Sequence, residues 1–133
     1  MTEIMQSIHK NWTCLILTGE KTLELRKNKP TNVKYPIKVF MYESKILGGS
    51  GMVVGEYILK SEPSCYLFDN RDKLMDLLSK NSCVDPEGII RYQHGKGTVY
   101  AWRTSNSIKY DEPKQLREFG MNKAPQSWCY INR

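Results

Sequence analysis

Apolar residues recur near the start of the chain at Ile8, Trp12, Leu15 and Ile16, the i, i+4, i+7, i+8 spacing of one helical face. Ser7 precedes this stripe as a cap and Gly19 follows it as a stop, so the pattern predicts a first helix with its stripe in the core. The period then switches to two. Over residues 22–27, Leu23 and Leu25 point one way while Thr22, Glu24 and Arg26 point the other, which predicts a half-buried strand with a charged, solvated face. Runs rich in β-branched and aromatic residues at 36–42 and 51–59 predict two further strands, joined by a loop at GGSG (48–51), with Gly55 marking a bulge. Leu74, Leu77 and Leu78 predict a helix over 70–80, and Asp85 before Pro86 predicts a second, short one. Beyond an HGKG turn at 94–97, residues 98–104 alternate as a strand and SIKY (107–110) adds a short one. A brief helix is expected from Pro113 to a stop at Gly120, and the chain closes on a strand at SWCYI. This order lacks the regular strand-helix alternation of a doubly wound parallel sheet and fits an α+β, mainly β fold: a small, mostly antiparallel barrel with peripheral helices.

At 133 residues the chain fits one domain spanning 1–133, and 40% apolar with 26% charged residues is the balance of an ordinary globular protein. Runs such as CLIL and MVVG are far shorter than the roughly 20 residues of a membrane span, and the first residues lack the apolar core of a signal peptide, so a cytoplasmic location without membrane contact is expected. Cys14, Cys65, Cys83 and Cys129 are scattered without a CxxC pair, which argues for reduced thiols and against a zinc knuckle. The formal charge of +6 favours anionic partners, nucleic acid among them.

Motifs for mononucleotide P-loops, dinucleotide folds and zincins are absent, and GGSG lacks the lysine and helix of a phosphate cradle. The two histidines, His9 on the polar side of the first helix and His94 in the glycine-flanked turn, are poorly placed to serve a serine or cysteine nucleophile. The charge-rich stretch GEKTLELRKNK (19–29) is different. Glu24 and Arg26 leave one strand face about 6.6 Å apart, and Lys21, at the junction with the helix, can swing onto it. Such a cluster binds a phosphate and a polar base edge together, or shares a proton between lysine and carboxylate for hydrolysis. Three exposed side chains screening one another for less than about 1 kcal/mol per pair is the plainer alternative. Tyr100 and Trp102 alternate on a strand beside Arg103, as a stacking platform or as core, and Lys27, Lys29, Lys34 and Lys38 offer a phosphate-tracking rim.

The helix followed by Gly19-x-Lys21-x-x-Glu24-x-Arg26, within SIHKNWTCLILTGEKTLELRK, resembles the ASCH domain, a branch of the PUA-like superfamily whose signature is GxKxxExR; all four positions match. IKVFMYESK, a Gly-rich loop, GMVVGEY, VYAWRTSNSIKYDEP and APQSWCYI follow in the order of bacterial and phage members, so the likeness covers nearly the whole chain. The resemblance implies a PUA-like β-barrel with a cleft beside the first helix into which Lys21, Glu24 and Arg26 project, and which Ser127 and Trp128 reach. It also implies binding of single-stranded RNA or a nucleotide, as superfamily members mostly do, without metal or cofactor. Lys21 and Arg26 would contact phosphate or base, and Glu24 would read an exocyclic donor or orient Lys21. Enzyme precedents keep alternatives open: a metal-independent ribonuclease, or an amidohydrolase of modified nucleosides such as acetylcytidine, with Lys21 and Glu24 as the catalytic pair. The acetylcytidine subgroup has threonine where this chain has Glu24. Capture of a protein partner through the basic face is a third expectation.

Overall fold

A computed structural model of the chain describes residues 1–67, 72–93 and 98–133. Its order is β1 (Glu3–Ile8), α1 (Lys10–Thr18), β2 (Leu23–Arg26), β3 (Ile37–Glu43), β4 (Met52–Leu59), β5 (Ser64–Leu67), α2 (Asp72–Ser82), α3 (Pro86–Gln93), β6 (Thr98–Arg103), β7 (Ser105–Lys114) and β8 (Trp128–Tyr130), with 3₁₀ turns at Ile46–Gly48 and Leu116–Phe119. The α+β, mainly β class read from the sequence is observed. The strands form two sheets. One has five strands in the order β7-β4-β3-β1-β8, with β1 and β3 parallel and the remaining pairs antiparallel; the other has three antiparallel strands in the order β2-β6-β5.

Three apolar clusters explain this layering. Ile4, Ile8, Val39, Met41, Tyr57 and Leu59 from the larger sheet meet Ile16 of α1 and Trp102 of β6. Met5, Phe40, Tyr42 and Val53, on the opposite face of that sheet, are covered by Phe119. Leu23, Leu25, Val99 and Ala101 turn the far face of the smaller sheet to Leu78 and Ile89 of α2 and α3. β2 is therefore covered on both faces, and all four of its residues are buried. The solvated face expected for Glu24 and Arg26 is corrected: the helices take the leucines, and the charged side is enclosed between the sheets.

Several element boundaries also differ from expectation. Ser7 is not a helix cap but the seventh residue of an N-terminal segment paired as β1; its N–H donates to the Ser127 carbonyl (2.9 Å) and its hydroxyl to that of Pro125 (2.7 Å). The α1 cap is His9, which makes no side-chain capping bond. β1 escapes a pattern search because Gln6 occupies the core position between Ile4 and Ile8, where its Oε1 accepts the Tyr57 hydroxyl at 2.8 Å. β5, only four residues long, carries no pattern that predicts it. β7 runs ten residues and takes in Pro113, so the helix expected there is only the 3₁₀ turn at Leu116–Phe119; proline is tolerated because β7 is a sheet edge. Gly19 and Gly120 stop their elements in the left-handed conformation as expected, Asp85 caps α3 by accepting the Gly88 N–H at 2.6 Å, and GGSG lies in the β3–β4 connection. The HGKG turn, with His94, lies outside the described residues.

The bulge inferred at Gly55 is present: pairing passes from Met41–Gly55 to Tyr42–Val53, skipping Val54. A Cβ at Gly55 would lie 2.4 Å from the Ile108 carbonyl oxygen and 3.0 Å from Leu17 Cδ2. The first obstacle is backbone of β7, which cannot give way without breaking the ladder. Gly55→Ala is expected to lower stability by about 1–3 kcal/mol, read as a lower urea midpoint at unchanged slope; a midpoint equal to the wild type would refute this close approach.

Candidate functional site

Gly19 ends α1 with φ 86°, a conformation that costs an L side chain energy, and turns the chain into β2. This turn brings Lys21 back over α1 and onto the inner side of β2. Antiparallel pairing with β6 sets Glu24 opposite Trp102 and Arg26 opposite Tyr100, so the charged side of β2 looks into the space between the sheets. Lys21, Glu24 and Arg26 are exposed by only 1%, 5% and 8%. They form one network. Lys21 Nζ lies 3.3 Å from Glu24 Oε1, and Arg26 Nη2 lies 2.7 Å from Glu24 Oε2.

Each cation has further acceptors. Lys21 Nζ donates to the Ser82 carbonyl at the end of α2 and lies 4.8 Å from the centre of the Trp12 ring. The last carbonyls of a helix carry partial negative charge, which suits an ammonium. Arg26 Nη2 also donates to the Ser7 carbonyl (2.8 Å), while Nη1 donates to Ser127 Oγ (3.0 Å) and, at 3.3 Å, to its carbonyl. Burial pushes the Glu24 carboxyl up, but Arg26 and then Lys21 outweigh it and hold it below the usual carboxylate range. Behind Glu24, burial and then the Glu24 charge raise the Tyr57 phenol well above its ordinary value, so it stays a donor to Gln6.

This network floors a cleft of about 890 Å³. Ser7, His9 and Trp12 line one side, Cys83, Val84, Asp85 and Gly88 another, and Lys27, Asn28, Gln126 and Ser127 the rest of the rim. Two cations and one carboxylate leave the floor with a net positive charge, while at the rim exposed Lys27 is balanced by exposed Asp85. Ser127 lines the cleft. Trp128 instead donates its indole N–H to Asn28 Oδ1 and packs edge-on against Trp102, with ring centres 5.3 Å apart.

The aromatic platform is corrected. Trp102 is fully buried, its indole N–H spent on the Asn28 carbonyl at 3.1 Å, so its face is closed to any base. Tyr100 packs half-buried against the core, with Lys29 Nζ 6.0 Å from its ring centre, and does not line the cleft. The aromatic wall is Trp12, which also packs half-buried against the core as its place in the helical stripe predicts. Of the expected lysine rim only Lys27 borders the cleft; Lys29 pairs with Glu62, Lys38 lies 3.4 Å from Glu56, and Lys34 is exposed elsewhere. Asn28, Gln126 and the start of α3 were missed, since nothing in their local sequence marks them.

Among solved structures, the chain superposes on the ASCH protein of Zymomonas mobilis with a TM-score of 0.79 at 16% identity, covering 98% of this chain and 88% of that one. A tyrosine-to-phenylalanine variant of that protein matches at the same TM-score and 15% identity, covering 100% and 92%. The chain has the ASCH fold. No protein-family model matches it. Among curated proteins it is 27% identical over 128 residues to large ribosomal subunit protein uL22 of two strains of Ureaplasma parvum serovar 3, covering 90% of this chain and 39% of theirs. It thus spans about two fifths of the length of those relatives. Among the described residues no helix is long and apolar enough to cross a membrane.

Neutralising Glu24 leaves two buried cations without their counter-charge, so Glu24→Gln is expected to cost about 3–5 kcal/mol in urea unfolding at neutral pH. Because the folded-state pKa is depressed, the contribution of Glu24 is fully present above its unfolded value of about 4.3 and is lost as pH falls through the folded value. The acid limb of the stability curve should therefore flatten in Glu24→Gln; an unchanged limb would show that Glu24 is not held ionised.

Proposed function

We propose that this protein of the ASCH fold binds single-stranded RNA or a nucleotide in the cleft beside α1, with Lys21, Glu24 and Arg26 at the deep end and Lys27 at the mouth. The observation that carries the reading is the buried Lys21–Glu24–Arg26 network forming the floor of an open cleft of about 890 Å³ in a chain of net charge +6. A cleft of this size suits a nucleotide. Its rim mixes a cation with amide and hydroxyl groups, and the Trp12 wall adds an aromatic edge. The pattern is that of a site for a polar, partly anionic ligand with a planar part. The curated relatives being components of the large ribosomal subunit agrees with an RNA environment.

A second reading has one observation in its favour: the 3.3 Å contact between Lys21 Nζ and Glu24 Oε1, the geometry of a lysine and carboxylate that pass a proton. On that reading the site hydrolyses RNA or the amide of a modified nucleoside without metal. Incubation with RNA, and separately with acetylcytidine, in EDTA separates the two: turnover abolished by Lys21→Ala makes the protein a hydrolase, and binding without turnover makes it a module.

Under the binding reading, affinity for a short single-stranded RNA falls as salt rises, and Lys27→Ala weakens binding evenly across sequences while reducing the salt slope by about one. Lys21→Ala and Arg26→Ala, checked for folding by circular dichroism, weaken binding further. Affinity indifferent to salt, or wild-type binding in both folded variants, would refute the site.

A further inference from the structure

Asn28 lies two residues beyond the charged network, exposed on the rim of the cleft. Two tryptophans hold it. Its backbone carbonyl accepts the Trp102 indole N–H at 3.1 Å, and its side-chain Oδ1 accepts that of Trp128 at 2.7 Å. An indole nitrogen only donates, so the carboxamide has one possible orientation: oxygen towards Trp128, Nδ2 turned away from it. No hydrogen bond to Nδ2 exists among the described residues, although the amide carries two donor protons there. Trp102 is itself fully buried, and its ring meets that of Trp128 edge-on, so the clamp rests on the core.

A solvent-facing asparagine is ordinarily free to rotate and to present either end. Asn28 is not, and the entropy of fixing it has already been lost in folding. Asn28 lines the cleft, and the end of its carboxamide left unbonded is the donor end. The neighbouring cations are otherwise engaged: Lys21 meets a carboxylate, a carbonyl and a ring face, and Arg26 meets Glu24 and the Ser7 and Ser127 oxygens. Nδ2 is thus an uncommitted donor on the same rim as Lys27.

We propose that Asn28 is a specificity-determining residue of the cleft, its locked carboxamide donating to an acceptor oxygen of the bound nucleotide. This rests on the nucleotide-binding reading above. The acceptor belongs to a base carbonyl or to the ribose-phosphate, two sources of one chemistry.

Asn28→Asp tests it, because aspartate keeps an oxygen for Trp128 and removes the donor. Binding by the full chain is measured with the four ribonucleosides, their 5′-monophosphates and inorganic phosphate. The uncharged nucleosides separate loss of the donor from repulsion between the new carboxylate and phosphate. Asn28→Asp is expected to bind nucleosides about tenfold more weakly when the base supplies the acceptor. When the ribose-phosphate supplies it, the loss appears with the monophosphates and is shared by Asn28→Ala, which lacks both donor and charge; a loss confined to Asn28→Asp is repulsion and overturns the assignment. In either case the melting temperature of Asn28→Asp stays at the wild-type value. Wild-type affinity of Asn28→Asp for every probe that the wild type binds, or a loss accompanied by a lowered melting temperature, overturns the assignment while leaving the cleft reading intact. If the wild type binds none of these probes and no short RNA, the nucleotide reading fails and the assignment with it.

Discussion

Glu24 is a carboxylate with almost no access to water, and the fold around the cleft follows from keeping it charged. One oxygen faces Lys21 and the other Arg26. Neither cation could be buried without it, and it could not be buried ionised without both. The network also dictates neighbours. Arg26 needs the Ser7 carbonyl and Ser127, so β1 and the approach to β8 must close over β2; Lys21 needs the Ser82 carbonyl, so α2 must end where it does. Removing Glu24 leaves two cations facing one another, and removing either cation leaves Glu24 with a single partner. The site and the packing are therefore one arrangement rather than a functional patch laid on a finished scaffold.

The two faces of β2 show how a strand can be read correctly and still be misplaced. Alternation tells which side chains share a face, and Leu23 and Leu25 do face the helices while Glu24 and Arg26 face the other way. It carries no information on what lies opposite, because the covering groups, Gln6, Tyr57 and Trp102, come from three other strands. Charge on a strand face ordinarily signals solvent, and here it signals mutual neutralisation. Trp102 misleads for the same reason. An aromatic residue on an alternating strand suits a ligand platform or a core equally, and only the position of β8, which brings Trp128 against it, decides for the core.

The pieces that were legible are those written in local chemistry: the glycine stops at Gly19 and Gly120, the Asp85 cap, the bulge at Gly55 and the GxKxxExR spacing. Those that were not depend on distant partners. β1 is obscured by Gln6, whose burial makes sense only beside the Tyr57 hydroxyl. β7 hides its length behind Pro113, acceptable at an edge strand but not recognisable as one from sequence. Trp12 packs against the core as its spacing predicts, and its second role shows only once the turn at Gly19 brings an ammonium over its ring. Asn28 looks like any loop asparagine; the tryptophans that fix it are 74 and 100 positions away.

Those separations have a consequence for how the cleft comes into being. Lys21 finds Ser82 across 61 positions and Arg26 finds Ser127 across 101. Contacts this distant along the chain close late, since each must overcome the entropy of a long loop before it returns any stabilisation. No short contiguous fragment contains the floor and walls together: residues 7–28 supply the charges, one side and part of the rim, residues 83–89 supply the other side, and Gln126 and Ser127 complete the rim. The cleft consequently exists only where residues 7 to 127 are folded together. A nascent or truncated form would carry the full signature motif and possess no site.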